Sequence, residues 1–180
     1  MSYSLDQFLT DTRAALKADN SPTGHDKVRQ NLEKLLKDKD FLAAECGPDA
    51  KPGIRTIYKD PETGFNVLVH IYEAGKKGPP HDHGRSWAIY GQATEYTDMT
   101  EWERLDDGSD PAMSKLRPAK KYRLTPAHAG IYQDGMIHSI DYPDKSIFIR
   151  VTGTNLDRIP RKMFNLETGK VTQMTPQAAS

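Results

Sequence analysis

The residues best suited to chemistry lie in the run Gly75 to Gln92, centred on His81-Asp82-His83. In an extended segment successive side chains alternate between faces, so both imidazoles project one way and Asp82 the other. Two neutral imidazoles on one face are half of a site for Fe, Zn, Ni or Cu. Pro79 and Pro80 donate no backbone hydrogen bond and suit the start or edge of a strand. Gly75, Gly78 and Gly84 permit turns around the pair. The competing reading is two surface histidines on a loop, since His-x-His alone is a common pattern. Arg150 sits in the apolar run 147–151, where a charge pointing inward needs a partner. Arg55, in a strand-like run, offers a planar fork to a carboxylate or else a surface ion pair.

Composition narrows the classes. The 180 residues suit one domain, or one domain with appendages. Twenty-five basic and 25 acidic residues cancel, so bulk charge favours neither nucleic acid nor an anionic membrane. No window has the apolar length of a membrane span, and the first residues lack the pattern of a signal peptide. Cys46 is the single cysteine, so no internal disulfide forms and a reducing cytoplasm is the expected compartment. A buried structural thiol is the expected role for it.

The elements that must position the histidines follow from pattern. Ser4 to Asp19 reads as an amphipathic helix, capped by Ser4 with Gln7 three residues on. Asn20 to Gly24 reads as a break. A second helix is expected from about His25 to Lys39, with Val28, Leu32, Leu35 and Leu36 as its apolar stripe and His25 as a surface or capping residue. From Ile54 the pattern changes to strands: 54–59, 65–73, 87–90, 120–124, 131–132, 136–140 and 146–151, separated by turns rich in Asp, Gly and Pro. A weak hairpin is expected around Glu167-Thr168-Gly169. Many short strands with regular turns argue for a β-barrel or two-sheet jelly roll. The expected division is a helical lead-in over 1–46, a barrel over 47–174 and a disordered tail over 175–180.

The spacing of the motifs resembles the cupin superfamily. Its first motif begins with Gly, then five residues, then His-x-His, as in Gly75 to His81-Asp82-His83. Its second places a third His shortly after a Gly turn, as in Asp134-Gly135-Met136-Ile137-His138. The resemblance implies a mainly β cupin double-stranded β-helix, a jelly-roll barrel, with two N-terminal helices. It implies a metal held by His81, His83 and His138. The acidic residue usual after the second His is replaced by Trp87 and Ala88, which is similar to the cysteine dioxygenase-like (thiol dioxygenase-like) cupins, whose iron is held by three histidines. That likeness covers roughly residues 40 to 155, and it implies that Arg55 binds a substrate carboxylate. The chain departs from that family at three places. Ala88 stands where the family's cross-linking cysteine would be. Arg150 and Thr152 stand where a His and a Tyr would form a relay.

The resemblance thus implies a non-haem iron dioxygenase that uses O₂ to oxidise a small, anionic, metal-chelating substrate, a thiol-bearing acid foremost. Fe²⁺ is the expected ion, with Ni²⁺, Mn²⁺ and Zn²⁺ as alternatives because imidazole suits them all. Arg55, Arg150 and Tyr90 are the expected substrate contacts, and no catalytic residue is assigned. No nucleic-acid or membrane partner is expected. Tyr90 and Gln92 share a face after the histidines; Trp87 and Tyr132 are candidates for the pocket wall or for core packing. His70 lies in an apolar strand, where a buried hydrogen-bonded imidazole is the first expectation and a supporting or ligand role the second. His128 is the alternative third ligand if the strands are misplaced, and Glu95 is too far from His83 to restore a carboxylate. Two other functions stay open: a metal cupin cleaving a carbon–carbon bond of a diketone or other enolisable compound, and a non-catalytic small-molecule-binding cupin with a structural metal.

Overall fold

A computed structural model describes residues 3–175 of the chain. The expected tail 175–180 therefore lies outside the described residues except for Thr175. Three helices lead, not two: α1 (Leu5–Ala18), α2 (Pro22–Leu35) and α3 (Lys39–Cys46). Ser4 caps α1 by accepting from the Gln7 backbone N–H at 3.3 Å, while the Gln7 side chain donates to Asp11 instead of closing the box. α2 starts earlier than expected because the residues read as a break form its N-terminus: Ser21 is the cap and Pro22 supplies a preset φ in the first turn. α3 went unforeseen; Asp38 caps it by accepting from the Phe41 N–H at 2.7 Å.

The strands that follow are β1 (Gly53–Lys59), β2 (Asn66–Ile71), β3 (Lys76–Lys77), β4 (Ala88–Thr94), β5 (Thr97–Arg104), β6 (Leu116–Leu124), β7 (Ala129–Tyr132), β8 (Ile137–Tyr142), β9 (Ile147–Thr152), β10 (Arg161–Phe164) and β11 (Val171–Met174). One sheet has the order β1-β2-β9-β4-β7 and the other β3-β8-β5-β6, with β10-β11 as a hairpin. All pairings are antiparallel. From β2 to β9 the chain passes between the two sheets at every connection except β5 to β6, which makes the double-stranded β-helix, or jelly-roll barrel, expected above. The chain turns from β4 to β5 at Glu95, where φ is 56°. Gln92 holds that corner by donating to the Thr94 carbonyl at 2.7 Å and accepting from Thr97 Oγ1 at 2.8 Å, so it is not a pocket residue.

Period-two alternation gives the five-stranded sheet two buried faces. Val67, Val69, Ile89, Ile149 and Val151 face the helices, against Phe8, Val28, Leu32 and Leu35. Ala88, Tyr90, Tyr132 and Phe148 face the other sheet, against Met99, Leu124 and Tyr142. Gly91 lets α2 approach β4: a Cβ there would stand 2.6 Å from Leu36 Cδ1 and 2.7 Å from Leu32 Cδ2. Arg13 fastens α1 to the β1–β2 turn through Asp60 at 2.7 Å.

His25 corrects the expectation of a surface residue. It is buried, stacks on Trp87 with ring centroids 4.8 Å apart, and its ring nitrogens meet Gln133 Oε1 and Asn20 Oδ1. Trp87 thus belongs to the helix-facing layer and does not wall a pocket. Burial pushes the Cys46 thiol up to about 11, consistent with an inert thiol. Among the described residues no helix is long and apolar enough to cross a membrane.

Candidate metal centre

His81 and His138 come together through the backbone. The His81 N–H donates to the His138 carbonyl at 2.9 Å, and the His138 N–H donates back to the His81 carbonyl at 3.0 Å. This is a hydrogen-bonded antiparallel pair, so both side chains leave the same face. The chain from His81 to His83 stays extended without forming a named strand. His83 therefore returns to the face of His81, while Asp82 turns away and accepts from the N–H groups of Gly84 at 3.0 Å and Lys162 at 2.8 Å. Gly135, with φ 72°, makes the turn that feeds His138 into β8.

One ligand atom from each of His81, His83 and His138 falls within 4.8 Å of the others. His83 Nε2 and His138 Nε2 are 3.3 Å apart. Two nitrogens each about 2.1 Å from one ion stand about 3.0 Å apart at a right angle and about 3.4 Å at a tetrahedral angle. The observed spacing lies between these values, so His83 and His138 fit a shared ion, with His81 beside them as the third candidate ligand. The Nδ1–H of His81 is tied to the Pro79 carbonyl at 3.1 Å, which leaves its Nε2 free to ligate. His83 and His138 are buried to 1% and 0% exposure, and their Nδ1 atoms have no protein hydrogen-bond partner. Burial, reinforced by nearby positive charge, holds all three imidazoles below their ordinary pKa. They are neutral at pH 7 and offer lone pairs.

A cavity of about 200 Å³ reaches His81 and is bounded by Tyr90, Arg150, His70 and Phe148 among others. Tyr90 sits at the centre, its hydroxyl 3.1 Å from His83 Nε2. Arg150 lies opposite Tyr90 on the inward face of β9. Its Nε is buried without a partner, and among the described residues Arg150 makes no hydrogen bond or ion pair. Arg150 thus faces inward, a placement that its apolar run left open.

Arg55 is a correction. Its neighbour Ile54 faces the cavity, opposite His70, and Arg55 points to the helix side, where it pairs with Glu45 of α3 at 2.7 Å. It cannot reach a ligand held at the histidines. His70 is inside the barrel but outside the triad: Nδ1 meets the Tyr72 hydroxyl at 3.0 Å, the ring stacks on Phe148, and Nε2 is buried without a partner. Burial, with Arg150 nearby, holds its pKa well below the ordinary value. His128 is exposed and bound to Thr125, so it is no ligand. Glu95 is exposed at its corner. Tyr132 backs the site, its ring centroid 3.9 Å from that of His138 and its hydroxyl 2.6 Å from that of Tyr122.

Sequence reasoning missed Tyr72, Tyr142 and Phe148, which line the cavity, and Arg161 on β10. Alternation from His70 and Arg150 would have found Tyr72 and Phe148. Nothing local marks Arg161, which follows a loop.

No family model matches the chain, and no curated protein matches it. Solved structures do. The cupin domain of Cnp3 from Schizosaccharomyces pombe is 15% identical over 60% of this chain and 66% of that one, with a TM-score of 0.45. KdgF from Halomonas sp. is 20% identical over 58% and 82%, at 0.41. An oxalate oxidase bound to the substrate analogue glycolate is 19% identical over 58% and 51%, at 0.39. The chain thus spans just under two thirds of the first and about half of the third.

Proposed function

We propose that the protein is a metal-dependent dioxygenase that uses O₂ to oxidise a small anionic substrate able to chelate the metal, a thiol-bearing acid foremost, with Fe²⁺ as the ion. The observation that carries this reading is the convergence of three neutral imidazoles at a cavity whose wall holds an unpartnered guanidinium. His81, His83 and His138 would hold the ion, which when bound supplies Lewis acidity toward an anionic ligand and redox chemistry toward O₂. Three neutral ligands leave its double charge uncancelled, and this favours an anion over a neutral substrate.

The chain's own residues then have distinct tasks. Arg150 receives the substrate carboxylate through its planar fork. The Tyr90 hydroxyl, beside His83, offers one hydrogen bond at the reacting end. Phe148, Tyr142 and Tyr72 exclude water and fix the small body of the substrate. Thr152 donates to the Thr154 carbonyl at 2.7 Å, so it contributes no relay. A cavity of about 200 Å³ suits a small acid.

The test is O₂ uptake by protein loaded anaerobically with Fe²⁺, against thiol-bearing carboxylic acids and β-diketones. Uptake with the thiol acids and oxidation at sulfur is the expected result. Uptake with diketones alone would move the function to carbon–carbon cleavage. Metal binding without uptake on either panel would leave a binding protein and overturn the enzyme.

A further inference from the structure

Beyond Arg150, a second guanidinium lies on the strand that runs beside the histidine segment. Phe164 N–H donates to the Pro80 carbonyl at 2.8 Å and Asp82 N–H to the Lys162 carbonyl at 3.0 Å, which frames His81 and Met163 as a facing pair. Two residues further along that register Arg161 falls opposite His83 and on its face, and the segments stay adjacent beyond it, where a Cβ on Gly84 would stand 2.2 Å from the Pro160 carbonyl oxygen. Arg161 Nε is buried without a partner. Its one ion pair among the described residues is a 3.5 Å contact from Nη2 to Asp157, an exposed carboxylate. Arg150 projects from the other sheet, between Leu68 and Tyr90 across the strands. Two under-compensated guanidiniums therefore flank the histidine segment, Arg150 from β9 of the five-stranded sheet and Arg161 from the β10–β11 hairpin. Asp82, the acid next to the triad in sequence, is directed away and already satisfied by two backbone N–H groups.

Positive charges held partly out of water without full compensation are costly unless an anion joins them. We propose that the substrate carries two carboxylates, one for Arg150 and one for Arg161, with its metal-chelating donor between them. This rests on the triad being a small-molecule site, and it narrows the substrate class to small dicarboxylic acids.

The test uses metal-free full-length protein and two probes of equal carbon count, succinate and butyrate, titrated calorimetrically at pH 7. Wild type should bind succinate at least tenfold more tightly than butyrate. Arg161→Gln should lose that preference while its capacity for Zn²⁺, measured separately, is unchanged; Arg161→Lys should keep part of it. Equal affinity for the two acids, binding of neither, or an undiminished preference in Arg161→Gln would overturn the proposal. If Arg161→Gln does not fold, the wild-type ratio and Arg161→Lys decide. Failure of the dioxygenase reading would appear elsewhere, as missing metal or missing O₂ uptake, and leaves these affinities as they are.

Discussion

Arg150 and Tyr90 are cross-strand partners on the inward face of the five-stranded sheet, and each points at the histidine cluster from its own side chain. The tyrosine has a hydrogen-bond partner in His83, and the arginine has none among the described residues. The fold gains nothing from an uncompensated charge there, and the proposed carboxylate-binding role of Arg150 rests on this asymmetry.

Arg150→Gln should therefore separate stability from function. Thermal unfolding of the metal-free protein should rise by about 2–4 °C, the shift expected for about 1 kcal/mol in a domain of this size. Under the proposed function, KM for an acid substrate should rise about 10- to 100-fold through loss of a charged hydrogen bond, with kcat changed less. A fall in Tm together with an unchanged KM would mean that the arginine is structural.

Arg55→Gln should do almost nothing. Its pair with Glu45 is solvent-exposed, and such pairs contribute about 0–1 kcal/mol. Activity and Tm within error of wild type are expected. A large rise in KM would return Arg55 to the carboxylate-binding role that the family resemblance implies.

Gly91→Val should loosen the helices from the barrel. The added carbons meet Leu32 and Leu36 at less than contact distance, and overpacking of this kind costs about 1–3 kcal/mol. Chemical denaturation would show the loss as a lower midpoint. Valine tolerated without loss would mean that α2 packs less closely on β4 than described.

Acid should release α1 from the β1–β2 turn. Burial alone would raise the Asp60 carboxyl, but hydrogen bonds from Arg13, Thr63 and Tyr58 outweigh it and bring the pKa down to about 2 from 3.8. The folded value lies below the ordinary one, so the stabilisation is complete above about pH 4 and is lost as pH falls toward 2. Asp60→Asn should cost about 1–3 kcal/mol at pH 7 by removing a charged acceptor from buried donors. The gap between its Tm and that of wild type should close on acidification toward pH 2.5; a gap constant over that range would contradict this account of the turn.

Much of the site was legible because it rests on short-range rules. His-x-His alternation needs only an extended chain, and the turn at Gly135 places His138 at the start of a strand whatever the rest of the barrel does. Arg55 failed because β1 is a sheet edge, exposed or half-exposed on both sides, so no apolar alternation marks its inner face. Arg161 was invisible because its face is set by pairing between β10 and the 80–82 segment, a non-local register. The helices were misjudged at their ends. Ser21-Pro22 both breaks one helix and starts the next, and composition cannot tell the two roles apart.

The most direct test of the central claim is the metal stoichiometry of purified protein reconstituted with one equivalent of Fe²⁺ under anaerobic conditions, read by elemental analysis after removal of free metal. Wild type should hold one ion per chain, as should His128→Ala, and His81→Ala, His83→Ala and His138→Ala should each fall to a tenth of that or less while remaining folded by circular dichroism. Full occupancy in folded His138→Ala, or none in wild type, would contradict a shared site built by the three imidazoles.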